Sequence, residues 1–275
     1  MPPVFRVNGA LIDNQLVLLA VDVGNTQTHL GVFDDAELVE RWRSATDPSA
    51  TSDQLAVSIF GLLGLRGIEL GRVDGAIVST VVPQLGPEYS HMCEQHMAGG
   101  PGEITYLEVG PRVRTGMPIL VDNPHELGAD RLVNAVAAYD RVGGACVAVD
   151  FGTSTNFDVV SAAGEYLGGV IGPGVEISME ALTERTAKLP RIDLSEPASA
   201  IGKNTQEAME AGFVHGFAGL VDGVARRLGE ELGGGATFIA TGGLASAIVP
   251  FCETIDEVDD LLTLKGLRLI YDRNQ

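Results

Sequence analysis

The chain has 275 residues, with 37 acidic against 18 basic side chains, a formal net charge of −19 and 45% hydrophobic content. That length admits one large domain or two of about 140 residues each. The negative field excludes a broad footprint on nucleic acid or on an anionic membrane, so any anionic ligand must be held locally by amides, metal ions or a placed arginine.

Glycine, at 35 residues, is at roughly twice its average usage, which points to tight turns and close backbone approach. Three cysteines without C-x-x-C spacing support neither a disulfide framework nor a zinc ribbon and fit a reducing cytoplasm. Leu16–Val21, the longest apolar run near the start, ends at Asp22, far short of the ~20 residues that span a bilayer. No basic leader or cleavage site accompanies it, so no membrane partner is expected.

Residues 1–15 lack periodicity and read as a loose extension. Leu16–Val21 then reads as a buried strand running into Asp22-Val23-Gly24-Asn25-Thr26-Gln27-Thr28, followed by His29–Phe33, an Asp34-Asp35 turn and Leu38–Arg43. Ser52–Leu65 has a cap-like Ser52 and apolar residues at helical spacing, Asp74–Ser79 reads as a strand, Glu88–Met97 as a helix and Ile104–Leu107 as a strand. Asp122–Arg141 reads as one helix with Asn123 as N-cap, Pro124 in the first turn and Glu126 at the capping-box position, which puts Asp130 about two turns in.

The opening pattern then returns. Ala145–Val149 runs into Asp150-Phe151-Gly152-Thr153-Ser154-Thr155-Asn156, followed by Phe157–Ser161, an Ala163-Gly164 turn and Tyr166–Ile171. Thr205–Leu232 reads as a glycine-broken helical segment, Ala236–Thr241 as a strand before Gly242-Gly243, and Leu244–Pro250 as a short helix. Thr263–Asp272 fits helix or strand. Two βββαβαβα-like halves imply an α/β fold with mixed sheets and a cleft between duplicated domains, divided as 16–122 and 123–275.

A strand ending in Asp before a glycine-bearing polar turn lets the carboxylate hold a cation or its water while turn amides face a phosphate. One such turn is common in ordinary hairpins; two in register are not. The pattern resembles the acetate and sugar kinase, Hsp70 and actin superfamily, whose paired phosphate loops close on ATP. No P-loop occurs, since Gly202-Lys203 is followed by Asn204, and Gly172-Pro173-Gly174 is no dinucleotide fingerprint. Asp22 and Asp150 are therefore the prime metal-facing residues.

Other clusters have ordinary readings. His91 and His96 would sit about 140° apart on a helix, which disfavours a metal site. Trp42 reads as packing, and Asp256, Glu257, Asp259 and Asp260 as a solvated acidic face. Asp130 beside Arg131 reads either as a surface ion pair or as a carboxylate aimed at a phosphate cleft, which is what a kinase base requires.

Several motifs occur together and in order: Asp22-Val-Gly-Asn-Thr26, Asn123-Pro124 with Gly128-Ala129-Asp130-Arg131, Asp150-Phe-Gly-Thr153, Gly168-Gly169 with Pro173-Gly174, Thr186–Pro190, Gly202–Thr205 and Thr241–Gly243. From about Leu16 onward the chain resembles type III pantothenate kinases. That resemblance implies ATP-dependent phosphorylation of pantothenate to 4′-phosphopantothenate. It implies a first phosphate loop at Asp22–His29 with Asp22 near Mg²⁺, a second nucleotide contact at Thr153, and Asp150 as ligand of a monovalent cation, K⁺ or NH4⁺. Gly128–Arg131 corresponds to the pantothenate motif, with Asp130 as base and Arg131 on the substrate's anionic end. Thr205 corresponds to a threonine that reaches pantothenate across a homodimer, and Thr241–Gly243 lies where superfamily members approach adenosine.

Two departures stand out. Asn156 replaces a threonine of the second loop, and Val121 stands where many members carry an aromatic residue. The alternatives are a sugar kinase of the same superfamily, or a non-catalytic transcription-associated homologue. The intact Asp22, Asp130 and Asp150 argue against the second.

Overall fold

The computed structural model describes residues 6–7, 10–11, 17–97 and 104–275. Most of the expected loose extension, and Leu16, lie outside the described residues; Arg6–Val7 (β1) pairs antiparallel with Ala10–Leu11 (β2). Strands β3 (Val17–Val23), β4 (Gln27–Asp34) and β5 (Glu37–Ala45) then form an antiparallel meander. They are followed by helix α1 (Ser52–Leu65), strand β6 (Val73–Thr80), helix α2 (Leu85–Met92), a π-helical turn at Cys93–Met97, and strand β7 (Thr105–Glu108).

The later elements repeat this plan. Helix α3 (Ala129–Val142) leads into β8 (Cys146–Phe151), β9 (Ser154–Val160) and β10 (Tyr166–Pro173). Helices α4 (Val175–Arg185) and α5 (Thr205–Glu231) precede β11 (Thr237–Thr241), α6 (Ala245–Ile248), β12 (Glu257–Val258) and α7 (Leu262–Asp272).

The two five-stranded sheets have the same order, β5-β4-β3-β6-β7 and β10-β9-β8-β11-β12. In each, the first three strands are antiparallel and the last two join in parallel. The duplicated α/β architecture expected from the repeat is therefore the one observed. By packing, the chain divides into one compact unit that runs to Gly116 and includes 128–133 and 263–275, and a second made of 117–127 and 134–262. The halves read from the sequence follow the repeat, whereas these units follow contacts.

In the first unit the sheet is covered on both faces, which is why β3 is nearly continuous apolar sequence. Val17, Leu19, Val21 and Val23 join Ala56, Ile59 and Leu63 of α1 and Leu85, Tyr89 and Met92 of α2 in one core, with Trp42 packed at its margin as expected. The alternate residues Leu18 and Ala20 are also buried, on the face where Leu264 of α7 lies 3.1 Å from the place a Cβ of Gly31 would take. In the second unit Val147, Val149, Phe151, Phe157 and Val159 pack against Val214, Phe217, Val221 and Ala225 of α5.

Four local expectations are corrected. The cap of α1 is Thr51, one residue earlier than Ser52, and it forms a capping box with Gln54. The helix expected over 122–141 is split: Asn123 accepts a bond from His125 N–H and caps only a 3₁₀ turn at Pro124–Glu126, then Leu127 is extended and α3 begins afresh at Ala129. Asp130 is thus in a first turn.

Helix α5 runs unbroken for 27 residues. Its five glycines cost about 1 kcal/mol each relative to alanine, but burying Val214, Phe217 and Val221 alone contributes roughly 1.5–3 kcal/mol apiece. Finally, the 256–260 cluster is solvated only in part: Asp256 and Asp260 are exposed and Glu257 is half-buried, but Asp259 is buried. Asp256 accepts from Phe238 N–H at 2.8 Å, Asp259 is 8% exposed and accepts from Leu261 N–H at 3.0 Å, and Arg141 pairs with both Glu257 and Asp259.

Candidate active site

The first D-x-G turn is closed by Gly24 N–H donating to Gln27 O at 3.0 Å, and it is tied to the end of β5 by Thr46 N–H donating to Thr26 O at 3.0 Å. Asn25 and Thr26 form its exposed tip. Alternation along the strands then sorts the expected loop residues. Val23 and Thr28 are cross-strand partners, and Val23 lies in the α1/α2 core.

Thr28 is buried, its hydroxyl 2.8 Å from that of Thr46 and bonded to Tyr89 of α2, so it braces the loop from beneath. Burial lifts the Tyr89 hydroxyl to about 12, more than the Thr28 bond lowers it, so it stays protonated. Asp22 and His29 form the next pair on the opposite face. Burial first, then Arg43 and Arg41, hold the imidazole below its usual value, leaving it neutral beside the carboxylate at pH 7.

Asp22 Oδ1 is shielded from solvent, and among the described residues no three His, Cys, Asp or Glu side chains gather to hold a metal. A single carboxylate at a phosphate turn suits Mg²⁺, which keeps most of its ligands as waters and phosphate oxygens. In the same unit α3 starts with Gly128-Ala129-Asp130-Arg131. Asp130 Oδ1 accepts from Arg131 N–H at 2.8 Å, and Nε and Nη2 of Arg131 are enclosed. Burial raises the Asp130 carboxyl above its usual range, with the Arg131 amide bond and charge opposing. A carboxylate so placed is a stronger proton acceptor than an exposed one.

In the second unit the D-x-G turn closes through Gly152 N–H to Ser154 O at 3.0 Å, with Thr153 exposed. Asp150 Oδ2 accepts from Asn134 Nδ2 at 3.2 Å, and Asp150 pairs in register with Thr241 of β11. Thr205 is exposed in the first turn of α5, where Asn204 caps the helix by accepting from Glu207 N–H at 2.9 Å.

Comparison with known proteins adds to this geometry. The family model for type III pantothenate kinase matches residues 18–227. The chain belongs to the type III pantothenate kinase family. Type III pantothenate kinases of Streptomyces avermitilis and Myxococcus xanthus are 50% and 48% identical over 265 and 258 residues, covering 94% of this chain and 98% and 99% of theirs.

Solved structures at low identity share the actin-like fold. A conserved putative Baf family transcriptional activator from Campylobacter jejuni has TM-score 0.57 at 17% identity, covering 93% of this chain and 98% of its own. A putative N-acetylmannosamine kinase from Listeria monocytogenes has TM-score 0.51 at 13% identity, covering 94% and 100%.

Within this pantothenate kinase family member, both departures have a structural setting. Asn156 is buried, with its Oδ1 2.9 Å from the Ser154 hydroxyl, so the second loop keeps an internal side-chain bond. Val121 lies against Gly168 of β10, its Cγ1 3.8 Å from where a Cβ would be. Sequence reasoning missed Asn134, which orients Asp150, and Ser79, the register partner of Asp22. The available signal was a polar residue inside an apolar run, at Val133-Asn134-Ala135 and Val78-Ser79.

Proposed function

We propose that this chain transfers the γ-phosphoryl group of ATP to the primary hydroxyl of pantothenate, giving 4′-phosphopantothenate and ADP. The observation that carries the reading is Asp130, a carboxylate lifted by burial in the first turn of α3 and set between Gly128-Ala129 and Arg131 in a member of this family.

Asp130 takes the hydroxyl proton as the acceptor oxygen bonds to phosphorus and the bond to the ADP oxygen breaks. Arg131 binds the substrate carboxylate, the turn at Asp22–His29 orients the phosphates, and Thr153 supplies a second nucleotide contact. Asp22 would hold Mg²⁺ and Asp150 would hold K⁺ or NH4⁺, which would offset negative charge on the transferring phosphoryl group. A cytoplasmic location belongs to this reading and is supported by three free cysteines.

ADP release measured with pantothenate, with glucose and with no acceptor tests the assignment. ADP is expected only with pantothenate and faster in K⁺ than in Na⁺ at fixed ionic strength, with Asp150→Asn narrowing that difference. Glucose-dependent release would move the chain to the sugar kinases, and equal rates in the two salts would remove the monovalent site.

The enzyme is further proposed to be a two-fold homodimer, with Asp130 of one subunit and Thr205 of the partner subunit completing each pantothenate site. Gly212, Gly216 and Gly219 of α5 support it, since a Cβ at any of them meets nothing within 4 Å and a second helix can approach closely there. An isologous interface makes two equivalent sites.

A further inference from the structure

Ser79 is fully buried at the last position but one of β6, and its hydroxyl has no hydrogen-bond partner among the described residues. A buried hydroxyl left in that state is costly, because it gives up its bonds to water without replacing them. Its place in the sheet says what it serves. β3 and β6 are parallel, and Asp22 and Ser79 are direct partners in their register. Partnered residues in a sheet point to the same face with Cβ atoms about 5 Å apart.

The face is otherwise apolar along both strands, through Leu18 and Ala20 on β3 and Ile77 on β6. On these two strands the polar residues Asp22 and Ser79 appear only at the carboxyl ends, in line with His29 near the amino end of the antiparallel β4 and beside the phosphate turn. The neighbouring Thr80 does not compete for this role. Its hydroxyl donates to Val82 O at 3.1 Å and accepts from Val82 N–H at 3.0 Å, which terminates the strand.

We propose that Ser79 is a positioning residue of the phosphate site, its hydroxyl acting with the Asp22 carboxylate to hold a water of the hydrated divalent cation that accompanies the nucleotide. This rests on the reading of Asp22 as the carboxylate nearest that cation. A hydroxyl can donate to Asp22 and accept from a water at the same time, whereas a second carboxylate here would add charge repulsion. Such outer partners typically change metal affinity by 10–100-fold when removed. Ser79 therefore belongs to binding and orientation and does not touch the reacting atoms.

The test is Mn²⁺ binding in the presence of ADP, followed by the electron paramagnetic resonance signal of free Mn²⁺, together with thermal unfolding of the ligand-free protein. Ser79→Ala is expected to weaken Mn²⁺ binding about tenfold while leaving the ligand-free protein as stable as wild type or more so, because the buried hydroxyl is gone. Ser79→Thr, which keeps the hydroxyl, should restore binding. If the alanine variant does not fold, Ser79→Cys keeps the volume, loses the strong donor and carries the same expectation.

Asp22→Asn separates the inference from the reading beneath it. Weak binding in Asp22→Asn with unchanged binding in Ser79→Ala overturns the role of Ser79 alone, and unchanged binding in both overturns the placement of the cation as well. A parallel loss of stability and affinity in Ser79→Ala makes Ser79 a packing residue and also overturns the proposal.

Discussion

Asp130→Asn is expected to lower kcat by roughly 10² or more with little change in KM, because a carboxamide keeps the shape of the side chain and cannot accept the hydroxyl proton. The fold should not suffer. Burial raises the carboxyl of Asp130 in the folded protein, so the folded state holds its proton more tightly than the unfolded chain does. Its ionised form therefore costs stability, a cost absent at pH below the unfolded value and complete once pH has risen through the folded one.

At neutral pH the asparagine variant should melt at or above the wild-type temperature, and that advantage should vanish in acid. The same shift places the acid limb of wild-type kcat above the ordinary carboxylate range. Turnover within a few-fold of wild type in the folded variant would remove Asp130 from the base role.

The variant also tests the shared site. Refolded together with a Thr205→Val variant first shown to be strongly impaired alone, half of the dimers are mixed and each holds one intact site, so activity should return to about a quarter of wild type. No recovery after verified subunit exchange, or a monomer by light scattering, would end the proposal of a site completed across subunits.

Gly242→Ala is expected to cost about 2–5 kcal/mol and to lower the melting temperature by roughly 5–15 °C, while Gly243→Ala stays within about 0.5 kcal/mol of wild type. Gly242 has φ +96°, in the left-handed region. A Cβ there would sit 2.5 Å from Asp150 Oδ1 and 2.7 Å from the backbone N and C of Phe151. Backbone atoms of a central strand cannot step aside, so the strain falls on Asp150. Gly243 is exposed, and a Cβ there meets nothing within 4 Å. The K⁺ response should therefore be weakened in the first variant and kept in the second. Equal melting temperatures for the two variants would mean that the close approach of Gly242 to Asp150 is not a constraint.

Much of this protein is legible in the chain alone, because the relevant physics is local. Strand-to-turn transitions at Asp22 and Asp150 are marked by apolar runs ending in Asp and Gly, and the hairpins by Asp34-Asp35 and Ala163-Gly164. The repeat of those signals is enough for two α/β halves and for their paired Asp-x-Gly turns. Asp130 was likewise legible as a carboxylate of interest, but not its setting, since the extended backbone at Leu127 interrupts a sequence that carries every helix-start signal.

What tertiary structure decided is the set of relations between residues far apart in sequence. Register alone puts Ser79 beside Asp22, and the packing of α2 on the sheet brings Tyr89 to Thr28. Helix packing alone brings Asn134 to Asp150 and buries Asp259 in an acidic run that looks solvated. A polar side chain has the same sequence signature whether it meets water or a partner, and only the packing of distant strands and helices determines which of the two it meets.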